Sequence, residues 1–239
     1  MNLHVLPVRT AGAAENMAVD FLLLQRYPTP AAPRFRHYDW RGPAYTFGFG
    51  QKIAFVRETL AAELPCDLCR RPTGGGIVDH RDDWTYALVL PRGHALYDAR
   101  ATASYRTVHD CLAEALRALG QPAAVKTACE PPAGGEICAA GPGVCFQRAE
   151  LYDVVNTATG AKIAGAAQKR TKHGLLFQGS IEKHRGGDIA WDEFGRGFVE
   201  RLASTLGVAA EETPWPDFPE HEVEGIIEQY SAPEWLAYR

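Results

Sequence analysis

The stretch RRPTGGGIVDH, residues 70 to 80, joins two arginines and a Pro-Thr turn to three consecutive glycines. Three glycines leave the backbone without any Cβ, so a ligand can approach main-chain N–H groups and a positive φ costs little. Arg70 and Arg71 carry a fixed positive charge that suits a phosphate or a carboxylate. The same glycines would also form a plain flexible hairpin, and the stretch alone supports both interpretations equally.

The composition indicates a folded globular protein, because 239 residues with 46% hydrophobic and 10% aromatic side chains suffice for a buried core. A formal net charge of -4 argues against general nucleic-acid binding, which normally needs a basic surface. No apolar run reaches the roughly 20 residues of a membrane-spanning helix, and the N-terminus does not read as a signal peptide. We therefore expect a cytoplasmic protein that binds neither nucleic acid nor membrane.

The six cysteines are expected to be reduced thiols in a chain of this length and location. Cys66 and Cys69 have the spacing of a zinc or redox motif, but neither a second such pair nor a histidine pair completes four ligands. We therefore predict no metal site.

Apolar periodicity predicts short strands and amphipathic helices, with the glycine stretch between two strands. A stretch rich in Gly, Pro and Ala, residues 127 to 143, is predicted to be a long surface loop. The predicted strands are 3–8, 34–40, 44–51, 66–71, 83–91, 151–157, 162–169 and 175–181, and the predicted helices are 13–27, 55–64, 98–119, 189–206 and 222–230.

Three side chains are candidates for chemistry. Cys145 ends the predicted loop and would be a nucleophile if a nearby cation lowered the pKa of its thiol, although most single cysteines are buried and inert. Lys162 heads the small-residue strand KIAGAAQ, which suits a narrow acyl tunnel with an ammonium at its polar end; on its own this lysine reads rather as a solvated residue after a turn. His80 would bind an oxygen or orient a thiol, or be a structural histidine.

A group of basic residues near the lysine strand is predicted to form one basic edge. Such an edge is either solvated surface or a docking site for an acidic carrier domain. Its members are Lys169, Arg170, Lys172, His173, Lys183, His184 and Arg185.

Three stretches taken together resemble the lipoate–protein ligase A and cysteine-dependent octanoyltransferase family, whose catalytic domain is similar to that of biotin protein ligases. RRPTGGGIVDH resembles the family's RRxSGGG-x-VxH signature, and KIAGAAQKR with HGLLFQGSI resembles its lysine motif and following strand. NMAVDFLLL and FGFGQ resemble its opening helix and second strand. The matches run in family order over about residues 13 to 182, and the GRGRxGR loop of biotin ligases is absent.

The resemblance implies one α+β domain over residues 1 to 239, without a fused C-terminal accessory domain. Its mixed, largely antiparallel β-sheet would be flanked by helices, as in the catalytic domains of biotin and lipoate protein ligases and class II synthetases. A tunnel would hold an octanoyl or lipoyl chain, with Cys145 and Lys162 as catalytic residues and Lys162 on the acyl carbonyl. The implied substrate-binding residues are Arg70, Arg71, Thr73, Gly74, Gly75, Gly76, His80, Gly165 and Gln168.

Two chemistries compete within the family. A transferase would take octanoate from acyl carrier protein through a thioester on Cys145 and need no cofactor. It would pass the acyl group to a lysine on a lipoyl domain of a 2-oxoacid dehydrogenase or on the glycine cleavage H protein. A ligase would use ATP and Mg²⁺ to activate free lipoate or octanoate, with or without a separate accessory chain.

The position of Cys145 upstream of Lys162 favours the transferase. Thr73 replaces the family's commoner Ser, a mild change, and HRDDW after Asp79 departs from its HD-x-GN-like continuation, which also fits a transferase better. A non-catalytic acyl-binding protein is the third interpretation.

Overall fold

The glycine stretch and the lysine strand belong to two different sheets. The computed structural model describes residues 1–128 and 148–238. The strands are β1 (Leu3–Ala11), β2 (Arg34–Trp40), β3 (Ala44–Phe47), β4 (Asp67–Arg70), β5 (Ile77–Asp79), β6 (Asp83–Pro91), β7 (Ala123–Val125), β8 (Val154–Asn156), β9 (Lys162–Thr171), β10 (Gly174–Glu182) and β11 (Ala210–Glu212). The helices are α1 (Ala13–Gln25), α2 (Ile53–Thr59), α3 (Ala95–Asp98), α4 (Ala101–Ala118), α5 (Lys183–Gly186), α6 (Trp191–Leu206), α7 (Glu220–Ser231) and α8 (Pro233–Leu236).

The larger sheet has the strand order β11-β1-β2-β6-β10-β9-β8-β7. Its central strands β6 and β10 pair antiparallel over nine residues, and nearly all of their side chains are buried. Strand β1 pairs in parallel with β2 and β11, and the other described pairs of this sheet are antiparallel. The expected mixed, largely antiparallel α+β fold is confirmed.

Helices cover both faces of the larger sheet. Val108, Leu112 and Leu116 recur every four residues on α4, so they form one apolar stripe against the sheet. Helix α6 packs beside it through Phe194 and Phe198. Helix α1 covers part of the opposite face, and it shares that face with the glycine stretch.

The smaller sheet, in the order β4-β3-β5, carries the glycine stretch. Strand β3 pairs in parallel with β4 and antiparallel with β5, so residues 71–76 form the connection that crosses the end of β3. A Cβ at Gly48 would lie 2.0 Å from the carbonyl oxygen of Gly75, and Gly75 has a φ of 90°. Both positions therefore require glycine for this crossing.

Several sequence predictions were wrong in detail. The helix predicted over 98–119 begins at Ala101 and ends at Ala118, and β3 ends at Phe47 instead of continuing to residue 51. The short elements α3, β5, β7, β11, α5 and α8 were not predicted. The predicted loop, residues 127 to 143, falls largely outside the described residues.

The single basic edge is also wrong. Lys169 to His173 lie at the β9–β10 turn, whereas Lys183 to Arg185 form α5 at the opposite end of β10. Nine strand residues span about 30 Å, so the two groups cannot share one contact patch on a small partner. Within the described part of the chain, no helix has the length and apolarity that crossing a bilayer requires.

Candidate active site

A cavity lies where the smaller sheet faces β9 and β10, and its space, including the part that opens to solvent, is about 470 Å³. Apolar and polar side chains both contribute to its walls. The lining residues are Met17, Tyr38, Trp40, Thr46, Arg71, Gly75, Val78, His80, Thr85, Lys162, Gly165, Ala166, Ala167, Gln178, Gly179 and Ser180.

Lys162 enters this cavity as half of a buried ion pair. Its Nζ lies 2.7 Å from Oδ2 of Asp153, and the two side chains are 7% and 1% exposed. The carboxylate also accepts hydrogen bonds from the backbone N–H of Glu150 at 2.7 Å and from the Tyr105 hydroxyl at 2.5 Å. The interpretation of Lys162 as a solvated surface residue is therefore wrong.

An irregular pairing of β8 and β9 gives this lysine its position. Val154 pairs with Ala164 and Val155 with Lys162, so Ile163 is an extra residue in β9. A Cβ on Gly165 would lie 2.7 Å from both Cε and Nζ of Lys162. The small residue three positions after the lysine therefore leaves room for its side chain.

His80 lies on the opposite wall in a buried polar network. Its Nε2 lies 2.7 Å from the Thr46 hydroxyl, its Nδ1 lies 2.6 Å from Oδ2 of Asp83, and its ring stacks on Trp40 with centroids 4.0 Å apart. These contacts fix the ring at the cavity wall, as the structural interpretation expects, and binding of an oxygen or a thiol by His80 stays a prediction.

The Asp83 carboxylate accepts hydrogen bonds from two hydroxyl groups near this histidine. Its Oδ2 accepts from Thr85 at 2.7 Å and from Ser180 at 2.6 Å. Burial opposes the ionised form, but the charge of His80 and the three hydrogen bonds outweigh it, and the pKa of Asp83 lies below its usual value. The Asp83 carboxylate therefore stays ionised.

Arg71 and Thr73 hold the glycine turn over the cavity. The Arg71 guanidinium donates to the carbonyl oxygens of Gly74 and Gly76, both at 2.9 Å, and to the Thr46 hydroxyl at 2.8 Å. Thr73 donates to Oε1 of Gln178 at 2.7 Å. The turn is therefore tied to both the smaller sheet and β10.

Arg70 and Gln168 do not line the cavity. The Arg70 guanidinium donates to four backbone carbonyls, which favours a structural role over substrate binding. The acceptors are the carbonyl oxygens of Phe49, Gln51, Trp235 and Leu236. Gln168 lies on the other face of β9, where it bonds to Ala101 and Ser104 at the start of α4.

Sequence reasoning missed two groups that support the cavity. Gln178 donates to Oδ2 of Asp20 at 2.7 Å, and Asp20 accepts from Arg36 at the same distance. Burial raises the pKa of Asp20, against the opposing effect of Arg36. The second group is Asp153 with Tyr105. In each case the available signal was a polar residue inside an apolar run, such as LLFQGSI or YDVV.

Cys145 lies outside the described residues, so its role stays a prediction. Across residues 1–128 and 148–238, no cluster of three or more His, Cys, Asp or Glu side chains is placed to share a metal ion. Cys69 is buried, and burial raises the pKa of its thiol far above the usual value, which suits an inert core residue.

The fold and cavity define an α+β domain in which a glycine turn faces a buried lysine across a cavity beside a largely antiparallel sheet. The chain belongs to the lipoyl protein ligase A/B catalytic domain family, whose family model matches residues 12–182. The resemblance seen in the sequence motifs is therefore confirmed.

Relatives with established names are similar over most of this chain. An octanoyltransferase LipM from Oceanobacillus iheyensis is 32% identical over 186 residues, which are 76% of this chain and 64% of that protein. The one from Anoxybacillus flavithermus is 30% identical over 183 residues, 76% of this chain and 65% of that protein. The chain thus spans just under two thirds of these relatives. The one from Macrococcus caseolyticus is 28% identical over 94% of both chains.

Solved structures share the fold over the whole chain. A lipoate-protein ligase A bound with ATP superposes with a TM-score of 0.75 at 19% identity, covering 99% of both chains. Protein Ta0514 from T. acidophilum with bound lipoic acid gives 0.72 at 19% identity over 100% of both chains. At this identity the likeness shows the fold alone.

Proposed function

We propose that the chain is an acyltransferase that moves an octanoyl group onto a lysine of a lipoyl domain. The observation that carries this proposal is the buried ammonium of Lys162 in a cavity walled partly by Met17, Tyr38, Trp40 and Val78. The apolar wall suits an acyl chain, and the ammonium suits its carbonyl oxygen. The similarity to octanoyltransferases LipM supports the same reaction.

The chemistry at Lys162 is stabilisation of negative charge on oxygen. Attack on a thioester carbonyl moves an electron pair onto its oxygen, and a cation fixed in a water-poor cavity stabilises that charge strongly. Removing one such donor costs about 10²–10³-fold in rate in well-studied enzymes. Main-chain N–H groups of the glycine turn would supply further donors.

We further propose that acyl carrier protein is the donor and Cys145 the nucleophile. The Cys145 thiol would give up its proton, and the resulting thiolate would attack the acyl carbonyl. A C–S bond to Cys145 would form, the bond to the carrier's sulfur would break, and the carrier thiolate would take up the proton that Cys145 lost. The amine of the acceptor lysine would then attack the acyl-enzyme, form the amide and return the thiol of Cys145.

The acceptor would be a lipoyl domain of a 2-oxoacid dehydrogenase or the glycine cleavage H protein. A structure with a similar fold is described as a bi-partite lipoate protein ligase and its E2 lipoyl domain from Thermoplasma acidophilum. A lysine on such a domain could reach the cavity past Gly74 and Gly75, which are exposed.

Intact-mass analysis after incubation with octanoyl carrier protein tests the nucleophile. We expect one added octanoyl group on the wild type and on Cys66→Ala, a matched control whose thiol is partly exposed elsewhere on the surface. Cys145→Ala should stay unmodified. A wild type without an adduct, or an adduct that persists in Cys145→Ala, would contradict the Cys145 thioester.

A donor comparison on one lipoyl domain tests the reaction. We expect transfer from octanoyl carrier protein without ATP, and none from free octanoate with ATP and Mg²⁺. The reverse pattern would assign an ATP-dependent lipoate or octanoate ligase, with activity surviving Cys145→Ser. Tight octanoate binding with no transfer from either donor would assign a non-catalytic acyl-binding protein.

A further inference from the structure

The carboxylate of Asp153 is held in place by a strained and heavily bonded turn. Tyr152 has a φ of 70°, a conformation that costs a non-glycine residue roughly 1–3 kcal/mol and persists only where the surroundings enforce it. Tyr152 donates its N–H to Lys126 at 2.8 Å, and its carbonyl oxygen lies 2.7 Å from Nδ1 of His109. Lys126 in turn donates its N–H to the carbonyl of Asp153 at 2.9 Å.

Tyr105 of α4 connects this carboxylate to the cavity wall. Its hydroxyl donates to Oδ1 of Asp153 and accepts the N–H of Ala166 at 3.0 Å. Ala166 lines the cavity on β9, beyond the last residue of β9 that pairs with β8. The Tyr105 hydroxyl therefore accepts a hydrogen bond from an N–H of β9 that lies beyond the pairing with β8. The same hydroxyl fixes the Asp153 carboxylate that pairs with Lys162.

We propose that Asp153 is a positioning residue for acyl transfer, with Tyr105 as its support, and that together they keep the Lys162 ammonium charged and in place at the cavity. A buried ammonium without a counter-charge gives up its proton or moves to solvent, because desolvation disfavours the charged form. The inference rests on the proposed function for its catalytic meaning, whereas the effect on the charge of Lys162 can be measured separately.

Within residues 1–128 and 148–238, several titratable groups other than Asp153 lie near Lys162. On α4, burial lowers the pKa of His109 to about 4 and raises that of Tyr105 well above its usual value, so both are neutral near pH 7. At the end of β10, Glu182 pairs with Arg185 of α5, which donates to the carbonyl oxygen of Lys162 at 3.2 Å. On the glycine side, Arg71 and His80 line the same cavity.

The test is an NMR titration of lysine labelled with ¹³C at Cε, with the Lys162 signal assigned by its loss in Lys162→Arg. In Asp153→Asn we expect the ammonium to deprotonate about one pH unit or more below the wild type, since removing a carboxylate at this distance has that effect. Transfer should show the same displacement of its alkaline limb, with a lower kcat and a nearly unchanged KM.

Two further variants complete the test: one removes the support of Asp153, and the other is a control. Tyr105→Phe keeps the ring and removes the hydroxyl, so it should move the titration and the alkaline limb in the same direction by a smaller amount. Tyr97→Phe is the control, because it removes a hydroxyl that bonds to the carbonyl of Thr171 at the far end of β9. It should leave both curves unchanged.

The outcomes separate the two proposals. An Asp153→Asn enzyme with an unchanged Lys162 titration and a uniform loss of transfer at all pH values would overturn the positioning role. A displaced titration in a protein that transfers no acyl group, even as wild type, would support the hold of Asp153 on Lys162 and overturn acyl transfer. Should Asp153→Asn fail to fold, Tyr105→Phe decides the question by the same readouts.

Discussion

The two walls of the cavity are held by different kinds of bond. On the glycine wall, the guanidinium groups of Arg70 and Arg71 bond mainly to main-chain carbonyls, and thereby fix the path of the backbone. On the lysine wall, the charged pair of Lys162 and Asp153 is fixed by the Tyr105 hydroxyl and by the turn before β8. The bonds of the glycine wall therefore fix the path of the backbone, and the bonds of the lysine wall fix the position of a buried charge.

This difference predicts which kind of substitution should disrupt each wall. A wall held by arginine–carbonyl bonds and close glycine contacts should be sensitive to added volume, because backbone atoms have no freedom to move aside. A wall held by a buried ion pair should be sensitive to the loss of either charge and to pH. Substitutions matched between the two walls can therefore separate effects on folding from effects on chemistry.

The largest effect is expected for Lys162→Met, which keeps the length of the side chain and removes its charge. Transfer should fall by about 10²–10³-fold in kcat, because the carbonyl oxygen loses its cation. The Asp153 carboxylate would remain buried without an ammonium, so the free energy of unfolding should also fall by about 3–5 kcal/mol. Steady-state kinetics and denaturant unfolding measure the two effects.

Lys169→Met is the matched control on the same strand. Its ammonium lies over the Phe49 ring at 5.0 Å, a contact worth about 0.5–1 kcal/mol at an accessible site. It should keep kcat close to the wild-type value. Equal losses of transfer in the two variants would contradict a special role for Lys162.

A smaller effect is expected from protonation of His109, which supports the turn that carries Asp153. Burial lowers the pKa of this histidine from 6.5 to about 4. The unfolded chain therefore binds this proton first as pH falls, and the folded state loses stability between those two values. The loss attributable to His109 should approach about 3 kcal/mol, and stability should recover as pH rises again.

Denaturant unfolding of the wild type and His109→Asn between pH 7 and pH 4 checks this prediction. Asn can still donate to the Tyr152 carbonyl but does not titrate, so it serves as the reference. The stability difference between the two proteins should narrow as pH falls. A constant difference would show that His109 keeps its folded-state pKa near the usual value.

Sequence patterns predicted most of the large elements. Strands β6 and β10 are continuous apolar runs, and α4 has a clear four-residue repeat, so burial alone identifies them. The three-residue strands β5, β7 and β11 are too short for any periodicity, and their pairing depends on distant partners. Local sequence patterns therefore do not predict which strands pair when they are far apart in the sequence.

Residue type alone predicted the surroundings of two candidate-site residues wrongly. Residue type favoured a solvated Lys162 and an anion-binding Arg70, yet the lysine is buried in an ion pair and the arginine binds backbone carbonyls. The partners that decide these outcomes are Asp153, which lies nine residues from Lys162 in the sequence, and the carbonyls of Trp235 and Leu236 in α8. Neither partner can be chosen before the fold is known.

The smallest effect, and the sharpest comparison of the two walls, comes from adding one methyl group to each. In Gly48→Ala the new Cβ meets the backbone carbonyl of Gly75, so the glycine turn must move and stability should fall by about 1–3 kcal/mol. Gly50→Ala is its control, because nothing lies within 4 Å of a Cβ there. Thermal unfolding of the pair measures the difference.

In Gly165→Ala the new Cβ meets the end of the Lys162 side chain, which can turn aside with little strain. We therefore expect a stability loss below about 1 kcal/mol, because no backbone is displaced. Transfer should nevertheless decrease several-fold in kcat, because the ammonium is displaced within the cavity while it keeps its ion pair with Asp153. A Gly165→Ala protein that loses as much stability as Gly48→Ala, or that keeps full kcat, would show that the two walls do not differ in the way their bonding indicates.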